Sequence, residues 1–140
     1  MEWPRFKTKN NGPSTKAVGD AAEDAALAHL QAAGLLLVAR NFRTPGRGGG
    51  EIDLIMREPG GTLVFVEVRR RKSASHGGAA ASVGAIKQRR VIFAARHYLM
   101  RLTSTPPCRF DVVVVQGDAN GHQALPSLDW IRAAFDASDN

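Results

Sequence analysis

Cysteine is nearly absent: Cys108 stands alone among 140 residues, which excludes an internal disulfide and a cysteine-built zinc site. Aromatic residues make up only 6%, too few for a platform of several stacked bases. Long hydrophobic runs are missing too. The longest, Ala32 to Ala39, is interrupted by Gly34 and falls far short of a bilayer span. No apolar segment of the kind a secretory signal needs follows Met1 to Arg5. These absences predict a cytoplasmic protein with no membrane partner. His29, His76, His97 and His122 are scattered without metal-ligand spacing and read as surface or loop residues. There is no internal repeat, and the composition, 44% hydrophobic and 23% charged, fits one folded domain.

Positive charge, in contrast, is abundant and unevenly placed. The net charge is +6. Residues 17–39 carry three acids and no base, whereas residues 40–101 carry thirteen bases against four acids. A basic zone so concentrated suggests a polyanion partner. A solvated surface is the alternative, and charge alone does not choose between them.

Residues 1–16 mix Pro, Asn, Lys and Gly without periodicity and predict a flexible basic arm, with the folded domain spanning 17–140. Ala22, Ala25, Ala26 and Leu30 predict a helix from Ala17 to Ala33, stopped by Gly34. Asp20 and Glu23 fit a capping box at its start. Leu35 to Phe42 reads as a strand, and the glycine-rich segment Thr44 to Gly50 as a mobile loop. Glu51 to Met56 and Leu63 to Arg69 are two short strands around Pro59-Gly60-Gly61, a hairpin signal. Arg70 to Gly78 follows as a basic loop. A long amphipathic helix is expected over Ala80 to Leu102, with Ile86, Tyr98 and Leu99 in the core. Val112 to Val115 is too continuously apolar for a half-exposed strand and suits a buried one. Gly117 to Gly121 predicts a turn, and Ser127 to Ala137 a short closing helix. The order αβββαβ, then a small helix, places the chain in the α/β (α+β) class as a single domain, with a mixed central sheet flanked by helices.

The hairpin carries the chemistry. If Pro59, Gly60 and Gly61 form a three-residue turn, Glu58 pairs with Thr62 and Asp53 sits directly opposite Glu67. Directly opposed residues have Cβ atoms roughly 4.5–5.5 Å apart, and like charges so placed destabilise the sheet. Two carboxylates at that separation need a counter-ion. A hard divalent cation such as Mg²⁺ would serve, since it takes one or two carboxylates plus waters and phosphate oxygens. Arg69 or Arg57 could neutralise the pair instead. A turn one residue shorter would set the two acids diagonally rather than opposite.

The residues themselves resemble a known group. Gly50-Glu51-Ile52-Asp53-Leu54-Ile55 followed by Phe65-Val66-Glu67-Val68-Arg69, with Glu23, Asn41, Arg43, Lys87 and Arg109-Phe110-Asp111 around them, closely resembles the bacterial YraN family. Its fold is similar to the restriction-endonuclease-like and Holliday-junction-resolvase nucleases. The resemblance implies that Asp53 and Glu67 are the two acids of the PD-(D/E)XK signature. Both would bind Mg²⁺ or Mn²⁺, with the Val68 carbonyl as a third ligand, and Glu23 would assist from the first helix. Two departures stand out: Ile52 replaces the proline before Asp53, and Arg69 stands where the signature has lysine.

That second departure matters. Arginine forks onto phosphate oxygens and can stabilise charge developing there. It cannot be usefully deprotonated, and it is bulkier than the ammonium that steers a water; Lys87 or Lys72 would have to supply one. Arg43, Arg47, Arg70, Arg71, Lys72, Lys87, Arg89 and Arg90 are the candidates for holding flanking phosphates without reading sequence. The Gly46 to Gly50 loop lacks the Gly-Lys-Ser/Thr of a nucleotide-binding P-loop. Asp111 reads as structural, in an ion pair with Arg109 or as a cap.

Three functions therefore compete. One is a metal-dependent nuclease acting on DNA, branched or structured, with RNA not excluded. The second is a nucleic-acid-binding module of the same fold that lost turnover at Arg69. The third is a domain whose basic zone meets an acidic protein; it leaves opposed carboxylates unexplained. Analogy with junction resolvases adds a homodimer to the expectations.

Overall fold

Ser14 opens the first helix: its Oγ accepts a hydrogen bond from the Ala17 N–H at 3.0 Å, satisfying one of the amides a helix start leaves free. The helix therefore begins earlier than the sequence predicted, and Thr15 and Lys16 belong to it rather than to a basic arm. Asp20 is an interior residue, bridged to Lys16 at 3.1 Å, so Asp20 and Glu23 form no capping box. The computed structural model describes residues 14–71, 83–116 and 127–137. The remainder of the arm, Lys72 and the rest of the basic loop, His76, the Gly117–Gly121 turn and His122 lie outside the described residues.

The elements run α1 (Thr15–Ala32), β1 (Leu36–Arg43), β2 (Glu51–Arg57), β3 (Leu63–Arg71), α2 (Ala85–Leu99), β4 (Cys108–Gln116) and β5 (Ser127–Phe135). The five strands form one sheet in the order β1-β2-β3-β4-β5. Only β3 and β4 run parallel, because α2 carries the chain back between them. The predicted αβββαβ core and mixed sheet are present.

Strand alternation divides the core between the helices. Leu54, Met56, Val64, Val66, Val113 and Val115 pack beneath Ala22, Ala26 and Leu30 of α1. Ile55, Leu63, Phe65 and Phe110 face Val91, Ile92, Ala94 and Ala95 of α2. Phe65, stacked on Phe110 at 5.5 Å between ring centroids, is fully buried. One expected core residue is not there: Ile86 is 69% exposed. The inner face of α2 runs through Val91, Ala94, Ala95 and Tyr98, and one turn before Val91 it presents Lys87 rather than Ile86.

The expected closing helix is a strand. Ser127 to Phe135 pairs antiparallel with β4. A fully buried strand such as β4 would otherwise leave a row of backbone donors and acceptors without partners. Leu128 and Trp130 then alternate onto the α1 side of the sheet. A register shift interrupts the pairing between Phe110 and Val112, where Ala133 adopts a φ of +50°. Asp111 is built into this irregularity. Its carboxylate, completely buried, accepts from the Ala133 N–H at 2.9 Å, Trp130 Nε1 at 2.9 Å and Arg109 Nε at 2.9 Å. The structural role read for Asp111 is thus an ion pair with Arg109, which also reaches Glu58 at 2.8 Å. Asp111→Ala removes a completely buried acceptor from three part-buried donors and is expected to cost about 3–5 kcal/mol; urea denaturation measures it.

Candidate active site

The β2–β3 hairpin folds as its sequence predicts. Glu58 N–H donates to the Thr62 carbonyl at 2.9 Å, and Gly61 N–H to the Glu58 carbonyl at 2.8 Å. Gly61 sits at φ +102°, where a side chain would be strained. This three-residue turn pairs Arg57 with Leu63 and, further along, Leu54 with Val66. Continued by one step, that register brings Asp53 to Glu67. There the ladder ends: Asp53 Oδ2 itself accepts the Val68 N–H at 2.8 Å, taking the place of backbone pairing between two diverging strands.

Both acids are nearly out of water, Asp53 9% and Glu67 4% exposed. Burial, followed by the neighbouring Asp53 charge, pushes the Glu67 carboxyl up to about 8. Burial also raises Asp53, against the Val68 N–H and the Lys87 charge that pull it down. Lys87 Nζ lies 3.6 Å from Glu67 Oε2. Among the described residues Lys87, and neither Arg57 nor Arg69, is thus the ion-pair partner of Glu67, and its charge also acts on Asp53. Glu67 Oε1 is buried with no hydrogen-bond partner among the described residues. An unsatisfied buried oxygen is costly.

Arg69 follows Glu67 on the same side of β3, and its charge favours the ionised form of Glu67. It has no ion pair of its own among the described residues. From α1, Glu23 faces the site. Burial and then the Asp53 charge raise its carboxyl, while Arg40 Nε holds it at 3.3 Å. Arg40, which the sequence reading did not single out, also binds Asp24 at 2.6 Å and the Asp20 carbonyl at 3.4 Å. The signal for it was the run of three acids in residues 17–39 with no base among them. Asn41, in the left-handed region at φ +53°, lies on β1 between the pairs Arg40↔Leu54 and Phe42↔Ile52, across from Asp53.

The arginines and lysine expected to hold phosphates are not all alike. Arg43, Arg47, Arg70, Arg89 and Arg90 are exposed. Arg71 instead turns toward β4 and β5, 3.2 Å from Gln116 and 3.6 Å from Asp129 with its side chain 14% exposed. Arg43 and Arg90 meet across a polar pocket of about 280 Å³ formed with the Thr44–Gly50 loop. That loop, read as mobile, is tied at both ends: Thr44 N–H donates to the Gly50 carbonyl at 3.1 Å, and Gly50 N–H to Thr44 Oγ1 at 2.7 Å. Gly50 packs against α2 so closely that an added Cβ would overlap the Arg90 carbonyl oxygen and stand 2.8 Å from Ala94 N. Gly50→Ala is expected to destabilise the fold by about 3 kcal/mol by forcing β2 and α2 apart; a thermal melt tests it.

A family model described as "Uncharacterised protein family UPF0102" matches residues 22–115, the stretch from α1 through β4. The chain belongs to the UPF0102 family. It is 66% identical over 126 residues to a UPF0102 protein of Polaromonas naphthalenivorans (strain CJ2), covering 89% of this chain and 82% of that one. It is 61% identical over 137 residues to a UPF0102 protein of Albidiferax ferrireducens, covering 98% and 99%. A UPF0102 protein of Acidovorax sp. (strain JS42) is 58% identical over 134 residues. The matched stretch contains Glu23, Arg40, Asp53, Glu67, Arg69 and Lys87, so the family and the site coincide. No helix among the described residues is long and apolar enough to cross a membrane.

Proposed function

We propose that this UPF0102 protein is a metal-dependent nuclease that hydrolyses phosphodiester bonds in DNA. The observation carrying this reading is the buried Asp53–Glu67 pair, with one Glu67 oxygen lacking a hydrogen-bond partner among the described residues, in a chain that also exposes Arg43, Arg47, Arg70, Arg89 and Arg90. Its donors suit Mg²⁺ or Mn²⁺. No group of three or more His, Cys, Asp or Glu residues able to cage a metal exists among the described residues. A hard ion that takes one or two carboxylates and completes its shell with water and phosphate oxygens needs no such cage. Asp53 and Glu67 would hold the ion, with the Val68 carbonyl beside them. When bound, it supplies a water of lowered pKa and polarises the phosphodiester.

The rest falls to the chain's own groups. Lys87 holds the Glu67 carboxylate and offers the ammonium that Arg69 cannot. Arg69, free of ion pairs among the described residues, forks onto oxygens of the scissile phosphate, where charge builds in the transition state. Glu23, braced by Arg40, keeps the potential behind Asp53 negative and so favours a bound cation. Arg43, Arg47, Arg70, Arg89 and Arg90 hold flanking phosphates, a contribution that weakens steeply with salt.

A second reading rests on Arg69 itself: with arginine at the lysine position, the same fold and exposed arginines would bind nucleic acid without turnover. Incubating purified protein with branched and linear DNA, in Mg²⁺, Mn²⁺ or chelator, separates the two. Metal-dependent cleavage supports the nuclease. Salt-sensitive binding without cleavage in any metal supports the binding module. Binding whose affinity does not fall with salt contradicts both.

A further inference from the structure

We infer that the closed Thr44–Gly50 loop and Arg90 form a cup for one phosphate group of the nucleic-acid strand, next to the carboxylate pair. This inference rests on the nuclease reading and adds a defined subsite to it. Four features of the molecule support it. The amides of Gly46, Arg47 and Gly48 donate no hydrogen bond among the described residues. Gly46 and Gly48 lie at φ +88° and +69°, the alternation of backbone hand that gathers successive N–H groups into an anion-binding concavity. Arg90 Nε bonds the Gly49 carbonyl at 3.3 Å, which braces the loop and leaves the remaining guanidinium N–H groups for a ligand. Arg43 faces the same pocket of about 280 Å³, large enough for a phosphate with attached waters.

Two cations and the open amides of Gly46 and Gly48 thus line a space whose one acid, Glu51, stands 3.6 Å from Arg43. Glu51 precedes Asp53 by two residues on β2, and Arg90 follows Lys87 by about one turn on α2. A strand crossing the Asp53–Glu67 pair would therefore bring a neighbouring phosphate to the cup. Arg89, on the far side of Arg90, lines a different depression with Phe93 and Arg96 and has no part in it.

Amide NMR of the full chain, titrated with inorganic phosphate against chloride at constant ionic strength, tests the cup; a second titration uses a short single-stranded DNA oligonucleotide. The expected result is saturating shifts of the Gly46–Gly49 amides with both probes. Arg43→Ala is expected to weaken binding at least ~10-fold, the scale of a lost charge-assisted hydrogen bond. Glu51→Gln, which removes the one repelling carboxylate without shortening the side chain, is expected to tighten it ~3-fold. Linear, non-saturating shifts, or affinities unmoved by both substitutions, overturn the cup. Oligonucleotide binding that perturbs Asp53 and Glu67 but not the loop overturns the cup while leaving the nuclease reading intact. Phosphate binding without any oligonucleotide binding overturns the assignment to nucleic acid, and the nuclease reading with it.

Discussion

Asp53→Asn is expected to lower metal-dependent DNA cleavage by more than ~100-fold, the loss that follows removal of a direct metal ligand rather than of its support. DNA affinity measured in chelator should stay within about threefold, because the exposed arginines proposed to make the phosphate contacts are untouched. The asparagine side chain keeps an oxygen able to accept the Val68 N–H, now 2.8 Å from Asp53 Oδ2, so the hairpin end is preserved. Rate and affinity thus separate in one variant. A loss of both together would mean that Asp53 serves the fold and not the chemistry.

Glu67→Gln should have the opposite effect on stability. In the folded protein the Glu67 carboxyl is pushed from an ordinary 4.5 up to about 8 by burial and by Asp53. A carboxyl whose folded pKa exceeds its unfolded value binds its proton more tightly when folded. Stability is therefore highest below the unfolded value and declines as pH rises through the window between about 4.5 and 8. Glutamine cannot ionise, so the variant loses this decline. In chelator at pH 8 its melting temperature should exceed that of the parent by several degrees, given that ~1 kcal/mol moves the midpoint of a domain of this size by a few degrees. Cleavage by the same variant should be abolished. A residue whose removal strengthens the fold and ends the activity is one kept at a cost to stability for its chemistry.

How far the site was legible in the sequence follows from what each part depends on. The Asp53–Glu67 pairing could be read because a Pro-Gly-Gly turn fixes register locally; the ladder from Leu54↔Val66 to Arg57↔Leu63 is the one expected. Buried β4 was equally plain from four consecutive valines. The closing strand was not, because Ile131, Ala134 and Phe135 have helical spacing and only the open edge of β4 demands a strand there. Nor was the counter-ion legible: Lys87 comes to Glu67 through the phase of α2, set by Val91 and Ala95 packing on the sheet. Arg40 was hidden for a related reason, since its partners Glu23 and Asp24 lie 17 and 16 residues away along the chain. Local turn chemistry survives translation from sequence, whereas ion pairs between elements appear only once the helices are docked.

A nuclease of the proposed kind requires a divalent cation between Asp53 and Glu67. Calorimetric titration of Mn²⁺ into the full chain, run near pH 7 in two buffers of different ionisation enthalpy, tests this most directly. The expected result is one saturable event that releases a proton, because Glu67, pushed up to about 8 by burial and by Asp53, must lose its proton before it can act as a ligand, with no such event in Asp53→Asn. Absence of saturable heat in the parent protein, with and without oligonucleotide, or equal binding by Asp53→Asn, would contradict it.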